Sequence, residues 1–586
     1  MRQHRIRPDG KQPAGIALIT SLLLVVLMLL LGLSFLSVAL SESLIAANSV
    51  QRSEAFYLAE AGVESLFVDL RDTLANFSRP TAAQLPTGSS LAPGGIRAPQ
   101  NGRFAYDFSG ATPETGVGFL TGTSGNPHST KIDRGTWQSM NAIASDYVVR
   151  ARVTGPRGVQ AHVSQAVQYL EIPLFQFGVF YGRGVDLEIA PGPVMTFNGR
   201  VHANSNIFVV ANSGISFDSY LTTAGNIYRY IKRDGTIERY NNPMIKDTAG
   251  TYRPLNFDHE SSVGFSGAWS EEAWRTQAKA TFGGLLLDKA MGVNEIVPPI
   301  PDLYYNPSNP DVISHQLIEG QASGESAAVQ AAKLYYQADL RIVNGVATLK
   351  NGTSVDLASQ CTGTVAQAKT FHDRREAKTM TVTEVNVAAL RTCSFLASTG
   401  TVLYVSDSGI DRAVRLVNGS EVTAGGLTVV TDNPMYIQGD YNTVNKKPSA
   451  VMADAITVLS NNWGPNGSDS KGNLETNTRP ASDTTVNAAF ALGPSAESAA
   501  GQGNGQLENV IRFLENWGGK NFNYRGSIVS LWHSQKVSGR WRCCGSTGDH
   551  YYQAPNRNWG YDTMFDTELP PGTPRAVQVV KSRWQG

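Results

Sequence analysis

Four cysteines, nine histidines and nine tryptophans are the residues of this 586-residue chain best suited to chemistry. Cys361 and Cys393 would close a loop of about 30 residues, a cross-link worth roughly 3–4 kcal/mol in an exported domain. The adjacent pair Cys543 and Cys544 leaves three alternatives open: a strained ring with each other, pairing elsewhere, or free thiols. No cysteine sits in a C-x-x-C pair or beside histidines at zinc spacing. The histidines are scattered, and His372 with Asp373, or His533, read as structural or surface groups rather than catalytic ones. A G-x-S-x-G elbow, a Walker loop, H-E-x-x-H and G-x-G-x-x-G are all missing, so no catalytic residue is assigned and no enzyme is expected. The loop at residues 466–473 places oxygen-bearing side chains at alternating positions, as calcium favours. It lacks dense carboxylates and carries Lys471, so a solvated loop is the preferred reading and no cofactor is expected, calcium being the alternative. Tryptophans concentrate late in the chain, at Trp463, Trp517, Trp532, Trp541, Trp559 and Trp584. Aromatics with a polar handle suit surface binding, including stacking on sugar rings, and suit the closing of a β stack equally well. The first five are carried forward as candidate surface-binding residues.

Lys plus Arg and Asp plus Glu both number 49, a formal net charge of zero that argues against capture of nucleic acid. Low charge with abundant glycine fits a turn-rich, β-rich extracytoplasmic protein.

The element that must position everything else is at the N-terminus. Residues 1–15 carry Arg2, Arg5, Arg7 and Lys11 against Asp9, and positive charge before an apolar run stays on the cytoplasmic side. Residues 16–40 hold no charge; as a helix these 25 residues span about 37 Å, enough to cross a hydrocarbon core. Thr20, Ser21, Ser34 and Ser37 can return their hydroxyls to the helix backbone. The helical pattern does not stop there. Val63, Leu66, Phe67, Leu70 and Leu74 recur at three- and four-residue steps, a stripe for packing on a protein domain. A secretory signal peptide would have a shorter apolar region, about 7–15 residues, and a fresh start after it. A plain membrane anchor accounts for the span but not for the leader ending in Gly15.

Gly15 followed by Ile16-Ala17-Leu18-Ile19 resembles a prepilin cleavage site. With Ala46-Ala47-Asn48 and Ala59-Glu60-Ala61-Gly62, the first 65 or so residues resemble the N-terminal domain of PilX-like minor pilins of type IV pili. These are similar to the K-type minor pseudopilin of type II secretion. The resemblance implies cutting by prepilin peptidase between Gly15 and Ile16 and residence in the inner membrane. It further implies assembly with other pilins through the helix into an extracellular filament. Major pilins of the family carry glutamate at the fifth mature position, where this chain has Thr20; its first carboxylate after the cut is Glu42. A buried, unpaired N-terminal ammonium costs several kcal/mol, and the glutamate of an incoming subunit neutralises that of its neighbour. A subunit without it is best used where no such pairing is needed, at the filament tip.

The expected fold class is α+β: a long pilin helix with a small antiparallel sheet, then a mainly-β head. Residues 16–172 form the pilin-like domain, its helix continuing to about 75 and its meander including a hairpin over 146–153 and 159–168. Residues 173–230 read as the first part of a parallel β-solenoid, with apolar steps about every ten residues and asparagines at the corners. Residues 231–395 read as a mixed insertion, helical at 325–336 and a hairpin around Asn344-Gly345. Residues 396–586 read as the second solenoid part and an aromatic-rich terminal region. A β-sandwich is the alternative for the head. The stretches 198–202, 431–442 and 556–562 resemble large bacterial proteins with PilX-type N-termini, which adds architecture but no activity.

The reading is a minor pilin at or near a filament tip, priming assembly, contacting a surface or glycan, or both. The alternatives are a K-type pseudopilin and a membrane-tethered carbohydrate-active β-helix enzyme, which would need two carboxylates flanking the scissile bond.

Overall fold

A computed structural model describes residues 14–77, 79–99, 102–110, 113–120, 126–232, 241–261, 264–297, 314–472, 478–496, 506–544 and 550–581. The N-terminal helix runs unbroken over Ala14–Asn76, 63 residues and about 95 Å. Its first half is exposed throughout. From Ala55 onward Ala59, Val63, Leu66, Leu70 and Leu74 are buried, each leucine or valine contributing roughly 1.5–3 kcal/mol. They pack on an antiparallel sheet built around the hairpin of Asn141–Thr154 and Gln160–Pro173. Alternation puts Tyr147, Val149, Ala151 and Val153 of one strand, with Val163, Val167 and Tyr169 of the other, on the helix face. The hairpin is longer than expected at its open end, because residues 141–145 and 169–173 there are covered by the β body and so do not alternate cleanly. Ala105–Tyr106, Gly116–Phe119 and His128–Lys131 all pair with Asn141–Thr154.

One strand of this sheet comes from the far end of the chain. Arg575–Lys581 pairs antiparallel with Gln160–Pro173, from Arg575↔Pro173 to Lys581↔Val167. The expected assignment of residues 396–586 wholly to the head is therefore corrected at its end. Alternation predicts a strand but not the sheet it joins.

Beyond this first sheet the body is built of parallel ladders with antiparallel pairs at some of their ends, among them Val365–Asp373 with Lys378–Asn386. Leu187–Ile189, Ile207–Val209 and Ile227–Tyr228 stack with Leu187, Ile207 and Ile227 aligned. Met195–Phe197 and Ile215–Phe217 do the same, their Phe197 and Phe217 rings 5.4 Å apart. Val179–Tyr181, Val201–Ala203 and Leu221–Thr223 make the third ladder. Position to position the step along a ladder is mostly 20 residues, with three short strands in each step, rather than one step per ten residues. A sandwich would need antiparallel pairing within its sheets. The corner asparagines work as a column: Asn226 N–H donates to Asn206 Oδ1 at 3.0 Å, and Asn206 N–H to Asp186 Oδ1 at 2.9 Å.

The connectivity is unusual. The chain enters at Val179–Tyr181, in the middle of a 12-stranded sheet, and steps outward to Leu286–Leu287 at one end. It then resumes at Leu340–Val343 toward the opposite end and steps back through Thr401–Ser406, Leu427–Val430, Ser449–Ala453 and Ala489–Leu492. The return finishes at Ile528–Ser530, which pairs in parallel with the entry strand, Ile528↔Val179. Residues 231–395 are consequently not one insertion. Met244–Lys246 extends a ladder of the first half, and helix Glu271–Phe282 buries Trp274, Ala278 and Phe282 at that end. Two short helices, Ala327–Ala332 and Leu334–Gln337, occupy the expected helical stretch. Leu340–Val343 and Val346–Leu349 form the expected hairpin, with Asn344 and Gly345 at φ 49° and 79°.

Entry and exit both lie mid-stack, so the pilin-like sheet is held against the flank of the body. Trp137, Leu170, Ile172, Leu174, Phe175 and Phe177 share a core with Phe180, Met452, Ala491, Trp532 and Phe565.

Candidate functional site

The first turns of the helix place Gly15, Ile16 and Thr20 on a free surface. Thr20 Oγ1 donates to its own backbone at Ile16 O, 2.9 Å, and contacts Ala17 O at 3.1 Å; Ser21 Oγ donates to Leu18 O at 2.9 Å. The Thr20 hydroxyl is thus spent within its own turn. It carries no negative charge. The leader cations Arg2, Arg5, Arg7 and Lys11 lie outside the described residues. Residues 15–46 are all exposed, and Glu42 is the first carboxylate among them.

Farther along, close approach of helix to sheet explains the glycine at position 62. A Cβ at Gly62 would meet Tyr106 Cε1 at 2.6 Å and Ala151 Cβ at 2.9 Å. Tyr106 uses that proximity to donate its hydroxyl to Leu58 O at 2.8 Å. Lys581, on the returning C-terminal strand, pairs with Glu64 at 2.7 Å and lies 3.8 Å from the centre of the Phe67 ring. Arg97 pairs with Asp69 at 2.9 Å. An exposed apolar half and a docked half are thus built into one rod. Residues 14–64 match the PilX N-terminal family model. Neither a curated protein nor a solved structure matches the chain. The PilX N-terminal match covers the exposed half and the start of the docked half. It ends before Leu66, Leu70 and Leu74 and does not reach the β body. Tyr106 and Lys581 lock the PilX-type helix to its sheet, and no local sequence signal marks them. No periodicity connects residues 48 and 517 positions apart.

The structure separates the aromatic candidates. Trp463, Trp517 and Trp532 are fully buried, which corrects their reading as surface-binding residues. Trp463 Nε1 donates to Asp469 Oδ1 at 2.8 Å, with Arg479 over the ring at 4.9 Å. Trp532 packs within the core between body and pilin-like sheet. Buried tryptophan and binding tryptophan look alike in sequence, since both sit among turns and polar residues. Trp541 and Trp559 remain half-exposed, and Trp584 lies outside the described residues.

Asp469, the carboxylate of the calcium-like loop, accepts from Arg415 at 2.8 and 3.0 Å through both oxygens as well as from Trp463. Its oxygens are thus engaged by a guanidinium and an indole N–H. Among the described residues no group of three or more His, Cys, Asp or Glu side chains is placed to hold a metal. Asp373, adjacent to His372, accepts from Tyr436 Oη at 2.6 Å and from the Arg375 N–H at 2.8 Å, a buried structural role.

Cys361 and Cys393 form a buried disulfide between the short helix Leu357–Gln360 and the loop after Val387–Leu390. Cys543 and Cys544 are joined to each other, the first of the three alternatives. Two of the three stretches singled out by resemblance meet: Asn198 Oδ1 accepts the Tyr561 N–H at 2.7 Å. The third comes close through Lys446, just beyond its end, which pairs with Asp562 at 2.9 Å.

Proposed function

We propose that this protein is a non-enzymatic minor pilin of a type IV pilus, used at or near the filament tip. The observation that carries this reading is the PilX-type helix with Thr20 at the fifth position after Gly15, its hydroxyl bonded to its own backbone. Prepilin peptidase would cut between Gly15 and Ile16 in the inner membrane. The exposed apolar half of the helix would then join the helices of other pilins, with the β body outside the filament core. We read the stacked ladders as a solenoid head. Its attachment along its flank, by two chain crossings rather than one, suits a head that must transmit load to the helix. There the head would prime assembly, contact a surface, or both.

The K-type pseudopilin of a secretion machine shares the same helix logic, and the genetic neighbourhood separates the two. A tethered enzyme would need a carboxylate pair in a groove.

Two measurements test the reading. Mass spectrometry of the mature protein should find Ile16 at the N-terminus; another start sinks the proposal. Gold-labelled antibody against the head should mark one end of purified filaments, and labelling along the whole shaft would exclude the tip.

A further inference from the structure

The two halves of the body meet at a seam, and the seam is not closed on every side. Val179–Tyr181 and Ile528–Ser530 join one face in register. On another face Leu187–Ile189 is the last strand of its three-stranded ladder, and the segment opposite, Leu507–Asn509, is a single helical turn. An open cleft of about 420 Å³ lies beside this mismatch. Among the residues lining it are Asn212 from the first half and Glu508, Asn509, Trp541, Ala554 and Arg557 from the second. Clefts of this size between packed units are favoured places for small ligands.

The lining is organised. Trp541 Nε1 donates to Tyr552 Oη at 2.9 Å, and Tyr552 donates to Asn509 Oδ1 at 2.5 Å, so the indole plane is fixed from behind. Arg557 Nη2 donates to the same Asn509 oxygen at 2.7 Å, while its buried Nε has no hydrogen-bond partner among the described residues. Glu508 is 4% exposed, and its Oε2 receives the Ala190 N–H at a long 3.4 Å. The cleft therefore presents an oriented aromatic face, an unsatisfied buried donor and an under-bonded carboxyl group.

We propose that this cleft binds carbohydrate, a neutral sugar residue whose C–H face stacks on Trp541 and whose hydroxyls bond Glu508, Arg557 and Asn212. A sugar has one apolar face and a rim of hydroxyls that both donate and accept, which matches an aromatic beside a carboxyl, a guanidinium and an amide. Charges of opposite sign on Glu508 and Arg557 disfavour a strongly ionic ligand. Burial pushes the Glu508 carboxyl up to about 7, so near neutrality it can donate as well as accept. Hydrolysis would call for two carboxyl groups flanking the bond, and Glu508 is the one carboxylate among the described lining residues. The site binds sugar and does not cut it.

This inference rests on the reading of the head as a surface-contacting module and gives that contact a place and a ligand class. The full chain, purified in a detergent without a sugar headgroup, is applied to an array of immobilised oligosaccharides. The best-retained glycan is then titrated in free form while tryptophan fluorescence is followed. Trp541→Ala should weaken binding about tenfold or more, and Asn212→Ala, at an exposed position where it gives up the Nδ2–H bond to Ala190 O at 3.2 Å, should weaken it several-fold with only a small fall in melting temperature. If Trp541→Ala does not fold, Asn212→Ala decides. Retention of no glycan, or equal retention by the wild type and the variant that decides, overturns the site. Antibody labelling of filaments is independent of that result: tip labelling without glycan binding removes only the site, and glycan binding with shaft labelling removes only the tip assignment.

Discussion

Asn198 and Tyr561 stand 363 positions apart, and the Asn198 side chain clasps the Tyr561 backbone from both sides. Its Oδ1 accepts the Tyr561 N–H at 2.7 Å, and its Nδ2 reaches Tyr561 O at 3.5 Å. The pair bridges the outward-stepping and returning halves of the body where no strand ladder does. Asn198→Ala leaves a partly buried N–H without its acceptor and should cost about 1–3 kcal/mol. Asn198→Asp keeps the acceptor and should cost less. Thermal melts of the purified chain rank the two, and equal losses would show that the bond does not hold the seam.

Helix docking should be sensitive at Gly62. Any side chain there collides with Tyr106 and Ala151; overpacking of this kind costs roughly 1–3 kcal/mol. Gly62→Leu should raise proteolysis of the segment around Tyr106 while leaving the parallel ladders protected in hydrogen exchange. Tyr106→Phe, losing only the bond to Leu58 O, should cost about 0.5–1.5 kcal/mol.

Trp463→Ala should destabilise by about 3–5 kcal/mol, the cost of emptying a buried aromatic site. It would also free Asp469 from one of its donors. A variant that melts within about 1 kcal/mol of the wild type would contradict the burial described for this residue.

Glu515 and Glu508 should each draw stability down as pH rises, against the opposite pull of His202, whose imidazole burial holds at about 4. Glu515 is buried and accepts from the Ser460 N–H and hydroxyl at 2.6 and 2.7 Å. Burial pushes its carboxyl from 4.5 up to about 7, and burial does the same to Glu508. Between those values the folded chain keeps protons on these two carboxyls that the unfolded chain has released, so their share of each pH step favours unfolding. Each group contributes up to roughly 3 kcal/mol, present in full below about pH 4.5 and lost by about pH 7. Glu515→Gln should remove its own share of that downward pull. Melting temperatures measured from pH 4.5 to 8 for both proteins check this, and parallel curves would remove Glu515 from the account.

Thr20→Glu tests the charge logic of the filament. The substitution lies on an exposed helix turn and leaves the body untouched, so folding should not change. With a carboxylate available to neutralise a neighbour's N-terminal ammonium, the subunit should incorporate below the tip. If the proposed tip placement holds through Thr20, immunogold labelling should then spread along the shaft, and labelling that stays at one end would show that Thr20 does not set the placement.

Local chemistry was legible without coordinates wherever one segment decided its own structure. The uncharged run at 16–40, the stripe from Val63 to Leu74 and the Asn344-Gly345 turn each depend on residues a few positions apart, and each stands in the structure as read. The spacing of Cys361 and Cys393 also pointed to their bond. Tryptophan burial was not legible. Trp463 is enclosed by Phe371, Arg479 and Leu514, groups that lie up to 92 positions away and are brought in by separate strands.

The sequence by itself determined the helix, its exposed apolar half and the absence of a carboxylate at Thr20, because helix period, charge and hydropathy act within a few turns of chain. Only the tertiary structure decided that Arg575–Lys581 returns to the first sheet, and that Ile528–Ser530 closes against Val179–Tyr181. The same holds for the bringing together of Trp541, Glu508 and Asn212 around one cleft. Strand alternation says which side chains turn inward but not which strand lies beside which. Backbone hydrogen bonds pair equally well with any strand in register, and the choice is made by how the whole core packs.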